Sequence, residues 1–291
     1  MAHSVSTRCE VTYEACEDAA NFIKQKSKLE SETISLGIIC GTGLGGLADK
    51  LSDATILPFT EIPHFPKATA LGHKGNIVVG KLSNKLVVCL QGRYHCYEGY
   101  SMQQITLPVR VMALLGVKQL IVTNAAGGLK LNYRMGDFMI IADHLNLPGL
   151  VGMNPLVGLN DDRFGCRFPT LDGIYDKGLI ELAFTVAKDQ GFLEHLHKGV
   201  YCMIFGPMFA TDTEVAYIQQ TLKADAIGMS TCSEVTVAAH QRIKVLGISV
   251  ITDSVAQYGE TGPPNAELVL EQGKKSTARL TEFVSEIVNR I

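Results

Sequence analysis

Ten residues, Gln91-Gly92-Arg93-Tyr94-His95-Cys96-Tyr97-Glu98-Gly99-Tyr100, follow directly on the apolar run Leu86–Leu90. In an extended backbone alternate residues share a side, so Arg93, His95 and Tyr97 would turn a guanidinium, an imidazole and a phenol toward one space. A guanidinium can grip two oxygens of a phosphate at once. Glu98 could orient the imidazole of His95 or help keep it charged. The same residues could also form a surface Arg–Glu pair over packed aromatics.

A second cluster runs Ile38-Ile39-Cys40-Gly41-Thr42-Gly43-Leu44-Gly45-Gly46. Its glycines permit a tight turn whose N–H groups approach an anion closely, and Thr42 adds a hydroxyl. The stretch also satisfies G-x-G-x-x-G, the glycine pattern of a dinucleotide site. That rival needs an acid closing a second strand about 20 residues on. The candidates, Asp53 and Glu61, lie in a proline-containing stretch that reads poorly as a strand. Three further segments carry suitable groups: Gly72-His73-Lys74-Gly75, Thr123-Asn124-Ala125-Ala126-Gly127-Gly128, and Gly228-Met229-Ser230-Thr231 ahead of a helix. At the last, a hydroxyl and helix N–H groups suit an anion.

Apolar runs at 35–40, 86–90, 119–123, 138–142 and 244–251 alternate with helical patterns at 102–115, 175–190, 212–222, 233–242 and 266–291. Runs without polar alternation are strands covered on both faces. The predicted class is therefore α/β, three layers (α/β/α) around a central mixed, partly parallel sheet. No repeat, low-complexity segment or linker divides the chain, so residues 1–291 are read as a single domain. The loop 257–265, with two glycines and two prolines, is either a plain connection or a lid. Several strands thus end in glycine, hydroxyl or cationic residues, as a crevice along the carboxyl edge of such a sheet requires.

Bulk properties narrow the partners. A net charge of -3 gives no basic face for nucleic acid or an anionic membrane. No apolar run reaches the roughly 20 residues that a bilayer needs, and the charged residues among the first 21 do not read as a leader. The eight cysteines include no C-x-x-C pair, which argues against a zinc site and for reduced thiols in a cytoplasmic protein.

Taken together, the motifs Gly41-Thr42-Gly43-Leu44-Gly45, His64-Phe65-Pro66 with Gly72-His73, Gln91–Tyr100, Val122–Gly128 and Gly228–Thr231 resemble the trimeric purine nucleoside phosphorylase family and its methylthioadenosine phosphorylase relatives. The similarity runs from Gly37 to the final helix. It implies phosphorolysis: phosphate attacks C1′ of a nucleoside, giving ribose 1-phosphate and the free base, with no metal or organic cofactor. It implies that Thr42, His73, Arg93, His95, the backbone N–H of Ala125, and Ser230 surround phosphate. Tyr97 and Met229 would contact the ribose, with Phe168 of a neighbouring subunit closing over the sugar. Tyr201 and Phe209 would flank sugar and base, and a homotrimer follows from the same likeness. Asp253, His95 and Arg93 are the expected catalytic groups, since phosphorolysis places positive charge on the sugar and negative charge on the departing base.

The base pocket departs from the family pattern. Its 6-oxopurine enzymes carry asparagine at the position of Asp253, glutamate at that of Ala210, and a 5′-hydroxyl-binding histidine near Ala266. Ionised Asp253 would repel O6 of hypoxanthine or guanine yet accept from an exocyclic amine; protonated, it could donate to N7 as the base leaves. Ala210 removes the acceptor that selects 6-oxopurines. The expectation is a phosphorylase shifted to adenosine, methylthioadenosine or cytidine. An ordinary inosine and guanosine phosphorylase and a weakly active nucleoside-binding protein are the alternatives.

Overall fold

The computed structural model describes residues 11–29, 33–254 and 265–291. The first ten residues and the loop at 257–264 lie outside them, so the leader and lid readings are not addressed there. Nine strands join in one sheet: β1 (Leu36–Cys40), β2 (Ser52–Pro58), β3 (Asn76–Leu82), β4 (Lys85–Gln91), β5 (Gln119–Gly128), β6 (Phe138–Asn146), β7 (Leu196–Met203), β8 (Ala226–Gly228) and β9 (Lys244–Ser254). The helices are α1 (Tyr13–Lys26), α2 (Met102–Leu114), the single turn α3 (Leu147–Leu150), α4 (Lys177–Asp189), α5 (Asp212–Ala216), α6 (Cys232–His240) and α7 (Ala266–Arg290).

The sheet order is β2-β3-β4-β1-β5-β8-β7-β6-β9, and β5 also pairs with β9. The central pairs β4–β1, β1–β5 and β5–β9 are parallel, while β2–β3–β4 is an antiparallel meander at one edge. The second pairing of β5 closes β5, β8, β7, β6 and β9 into a ring, so part of the mixed sheet curls into a small barrel. Every residue of β1 is buried, as a strand covered on both faces must be. The covering helices form two groups, α1 with α2 and α6, and α4 with α7.

Four strands went unread in the sequence, and each has a physical reason. β2 is a mostly exposed edge strand that opens on a register shift with Asp53 at φ 51°, so its polar residues hide the pattern. The stretch holding Asp53 is thus a strand after all, while Glu61 ends a 3-10 turn. β3 mixes glycine and lysine, β7 has a histidine and a lysine directly after its first residue, and β8 is only three residues long. The 212–222 helix divides into α5 and a π-helical turn at Tyr217–Thr221. Asp253 lies inside β9 rather than after it, because β9 pairs with β5 as far as Gly128↔Ser254.

Candidate active site

A cavity of about 310 Å³ opens where the strands of the ring meet the ends of β1 and β4. Its polar lining comes from Thr42, Arg93, His95, Tyr97, Ser230, Thr252 and Asp253, with Ala125, Ala126 and Gly127 of β5 as its floor. The alternating positions 93, 95 and 97 do reach one space.

Gly41 brings β1 within reach of β5: a Cβ there would stand 2.7 Å from Cα of Asn124. Its N–H donates to the hydroxyl of Thr123 at 3.1 Å, which fixes the turn. Gly43, at φ 76°, completes that turn in a conformation few other residues adopt. His73 sits behind Thr42 and does not line the cavity. Its Nδ1 accepts from the backbone N–H of Arg93 at 3.1 Å, so Nε2 carries the proton and donates to the Thr42 hydroxyl at 3.1 Å. Burial, followed by the nearby His95 and Arg93, pushes His73 well below the usual imidazole range and keeps it neutral. The hydroxyl hydrogen of Thr42 is then left to donate elsewhere.

Arg93 is 2% exposed. Its Nε donates to Glu234 Oε1 at 2.9 Å and its Nη1 to the carbonyl of Thr123 at 2.7 Å. Its Nη2 is buried with no acceptor among the described residues. The His95 backbone N–H donates to Glu98 Oε1 at 2.7 Å, and ring Nδ1 lies 3.4 Å from the same oxygen. Burial raises the Glu98 carboxyl, but hydrogen bonds from His95 and Thr69 outweigh it and hold the group down to about 2. The imidazole stacks on Tyr97 at 4.8 Å. Ser230 reaches the cavity from the turn before α6, and its backbone N–H donates to the hydroxyl of Tyr201 at 3.3 Å.

Strand register gives the cavity its polarity. Thr123, which anchors Arg93, is followed four residues later by Gly127, which pairs with Asp253 on one side and Ile227 on the other. At ~3.3 Å per residue the two levels are about 13 Å apart. A cationic and hydroxyl-rich end therefore faces an end built from Asp253, Ala210, Phe209, Val215 and Ile227. At that second end Asp253 Oδ1 accepts from the Thr252 hydroxyl at 3.1 Å.

Residues 35–289 match the family model described as the phosphorylase superfamily. The purine nucleoside phosphorylase of Mus musculus is 45% identical over 97% of this chain and 96% of its own. The chain belongs to the purine nucleoside phosphorylase family. A crystal structure of Schistosoma mansoni purine nucleoside phosphorylase in complex with adenosine superposes at TM-score 0.90, with 43% identity over 97% of this chain and 98% of that one. Isoform 2 from the same organism, in complex with cytosine and ribose-1-phosphate, gives 0.91 and 41% with the same coverage.

Three residues that the family likeness assigned to ligand contact lie outside this chain's cavity: His73, behind Thr42, and Tyr201 and Phe168. Tyr201 is fully buried and lines none of the cavity. It packs behind Gly228, where a Cβ would collide with its side chain, and so supports the end of β8 that leads into Met229 and Ser230. Phe168 is 87% exposed and also absent from the lining. Ala266 does line it, beside Val269 from the first turn of α7. Leu71, Val215, Ile227 and Thr252 were not anticipated. An isolated apolar residue carries no chemical signature, and only Thr252, next to Asp253 at a strand's end, offered a sequence signal. Glu234 was missed because an acid in a helix's first turn reads as a capping residue until its burial is known. Among the described residues no group of three His, Cys, Asp or Glu is arranged to hold a metal ion, and no helix is long and apolar enough to cross a membrane.

Proposed function

We propose that this family member cleaves the N-glycosidic bond of nucleosides with phosphate, and prefers bases that carry an exocyclic amine. The observation that carries the preference is the pairing of Asp253 with Ala210 at the base end of one cavity, beside Val215 and Ile227. A carboxylate there accepts from an amine and repels a carbonyl oxygen, while Ala210 offers no acceptor to N1–H of a 6-oxopurine. The similar Schistosoma enzymes are bound to adenosine and cytosine in two structures and to hypoxanthine, guanosine and inosine in others, so the preference rests on this chain's own Asp253 and Ala210.

Phosphate would lie at the other end, taking hydrogen bonds from Arg93 Nη2, the hydroxyls of Thr42 and Ser230, and His95. Its attack on C1′ develops positive charge on the ribose that the bound anion stabilises. A protonated Asp253 could donate to N7 as the purine departs. The scheme uses no cofactor. We assign the functional unit as a homotrimer in which Phe168 closes a neighbour's cavity; Leu150, Val151, Leu159 and Phe168 are all at least 77% exposed, as side chains awaiting a partner would be. Seven unpaired cysteines among the described residues support a reducing, cytoplasmic setting.

The test is base release from adenosine, methylthioadenosine, cytidine, inosine and guanosine, with and without phosphate. Phosphate-dependent release fastest from the amino-bearing substrates is expected. Inosine turnover equal to adenosine would remove the preference, and release from none would leave a nucleoside-binding protein.

A further inference from the structure

The guanidinium of Arg93 is buried before any anion reaches it, and an unpaired cation in that position would be strongly disfavoured. Glu234 resolves this. It is 3% exposed, lies in the first turn of α6, and takes the Nε–H of Arg93 at 2.9 Å across 141 residues of sequence. The Thr123 carbonyl takes Nη1 at 2.7 Å. Two of the three guanidinium nitrogens are thus committed to protein acceptors in fixed directions, and the planar group has no freedom left to rotate. Nη2 alone has no acceptor among the described residues.

The same first turn of α6 is pinned to the sheet. Asn124 Nδ2 donates to the Thr231 hydroxyl at 2.9 Å, and Thr231, at φ 79°, follows Ser230 at the position just before the helix. One short segment therefore carries Ser230 on one side and, through Glu234, sets Arg93 on the other. We propose that Glu234 is a positioning residue for phosphate: it neutralises Arg93 in the resting enzyme and holds its Nη2 toward the anion, without touching substrate. The inference rests on the phosphate reading of this site.

Glu234→Ala and Glu234→Gln separate positioning from general support. The glutamine keeps an oxygen that can accept from Arg93 Nε; the alanine leaves the guanidinium held only through Nη1 by the Thr123 carbonyl. With the full-length enzyme, Glu234→Ala should raise the KM for phosphate about tenfold or more while the KM for nucleoside stays within about twofold, since the anion then loses a charge-assisted hydrogen bond aimed at it. Glu234→Gln should recover most of the phosphate affinity, to within about threefold of the parent chain. Thermal melts of both variants report folding independently. A phosphate KM unchanged in a folded Glu234→Ala protein, or equal rises in both KM values, would overturn the proposal. Should Glu234→Ala not fold, Glu234→Asp takes its place by withdrawing the carboxylate from Arg93 Nε by one methylene: a phosphate KM unchanged in it, or a rise matched by nucleoside, counts against the proposal. If the parent chain shows no phosphate-dependent turnover at all, it is the underlying phosphate reading that has failed.

Discussion

At the scale of single residues, the cavity divides by chemistry that side-chain type alone announces at one end and conceals at the other. Arg93, His95, Thr42 and Ser230 have few ordinary uses when they end adjacent strands, so their types and spacing pointed to an anion site. Glu234 serves the same end only through Arg93 and gives no signal, because burial to 3% is a property of the folded chain. The base end turns on two residues, Asp253 and Ala210. Replacing Asp253→Asn and Ala210→Glu together should move the ratio of kcat/KM for inosine over adenosine upward, on the order of a hundredfold, by restoring a donor for O6 and an acceptor for N1–H. Steady-state rates on both substrates check this. A double variant with the parent's ratio would mean that the base sits elsewhere in the cavity.

Between elements, the contact that matters is α7 against the glycine turn. Gly273 of α7 lies so close that a Cβ on it would stand 2.6 Å from the Thr42 carbonyl, and one on Gly43 would stand 2.8 Å from the Leu270 carbonyl. Thr277 fastens the approach by donating its hydroxyl to the Gly43 carbonyl at 2.8 Å. Gly273→Ala should therefore push α7 off the turn, destabilise the protein by ~1–3 kcal/mol, and weaken phosphate more than nucleoside. A melt lowered by several degrees with a higher phosphate KM is the expected pair of readings; an unchanged melt would show that the helix shifts freely. None of this was visible beforehand, although α7 itself was, from its amphipathic pattern. Sequence showed elements where burial is uniform, as in β1 and β4, and missed them at exposed edges such as β2. It could not show which glycine of one element meets which backbone of another, since that depends on long-range packing.

For the whole molecule, the question is whether one chain makes a complete site. Its cavity has a polar end and a base end, yet Phe168, assigned to the sugar by family likeness, is 87% exposed and outside the lining. If it serves a neighbour in the proposed trimer, sedimentation should give three times the 31.5 kDa chain mass. Phe168→Ala should then raise the nucleoside KM by about tenfold, equivalent to ~1.4 kcal/mol, and leave phosphate binding alone. A sharper version mixes chains. Co-expressed Phe168→Ala and Arg93→Ala chains would form trimers in which some cavities combine the intact Arg93 of one chain with the intact Phe168 of the next. Those cavities should restore the parent's kcat/KM in a fraction of sites, since each variant alone lacks either the phosphate group or the sugar contact. If Phe168 folds onto its own chain's cavity, every site keeps one lesion and the mixture stays as poor as its components. Recovery on mixing therefore distinguishes a site shared between subunits from one that each chain completes for itself.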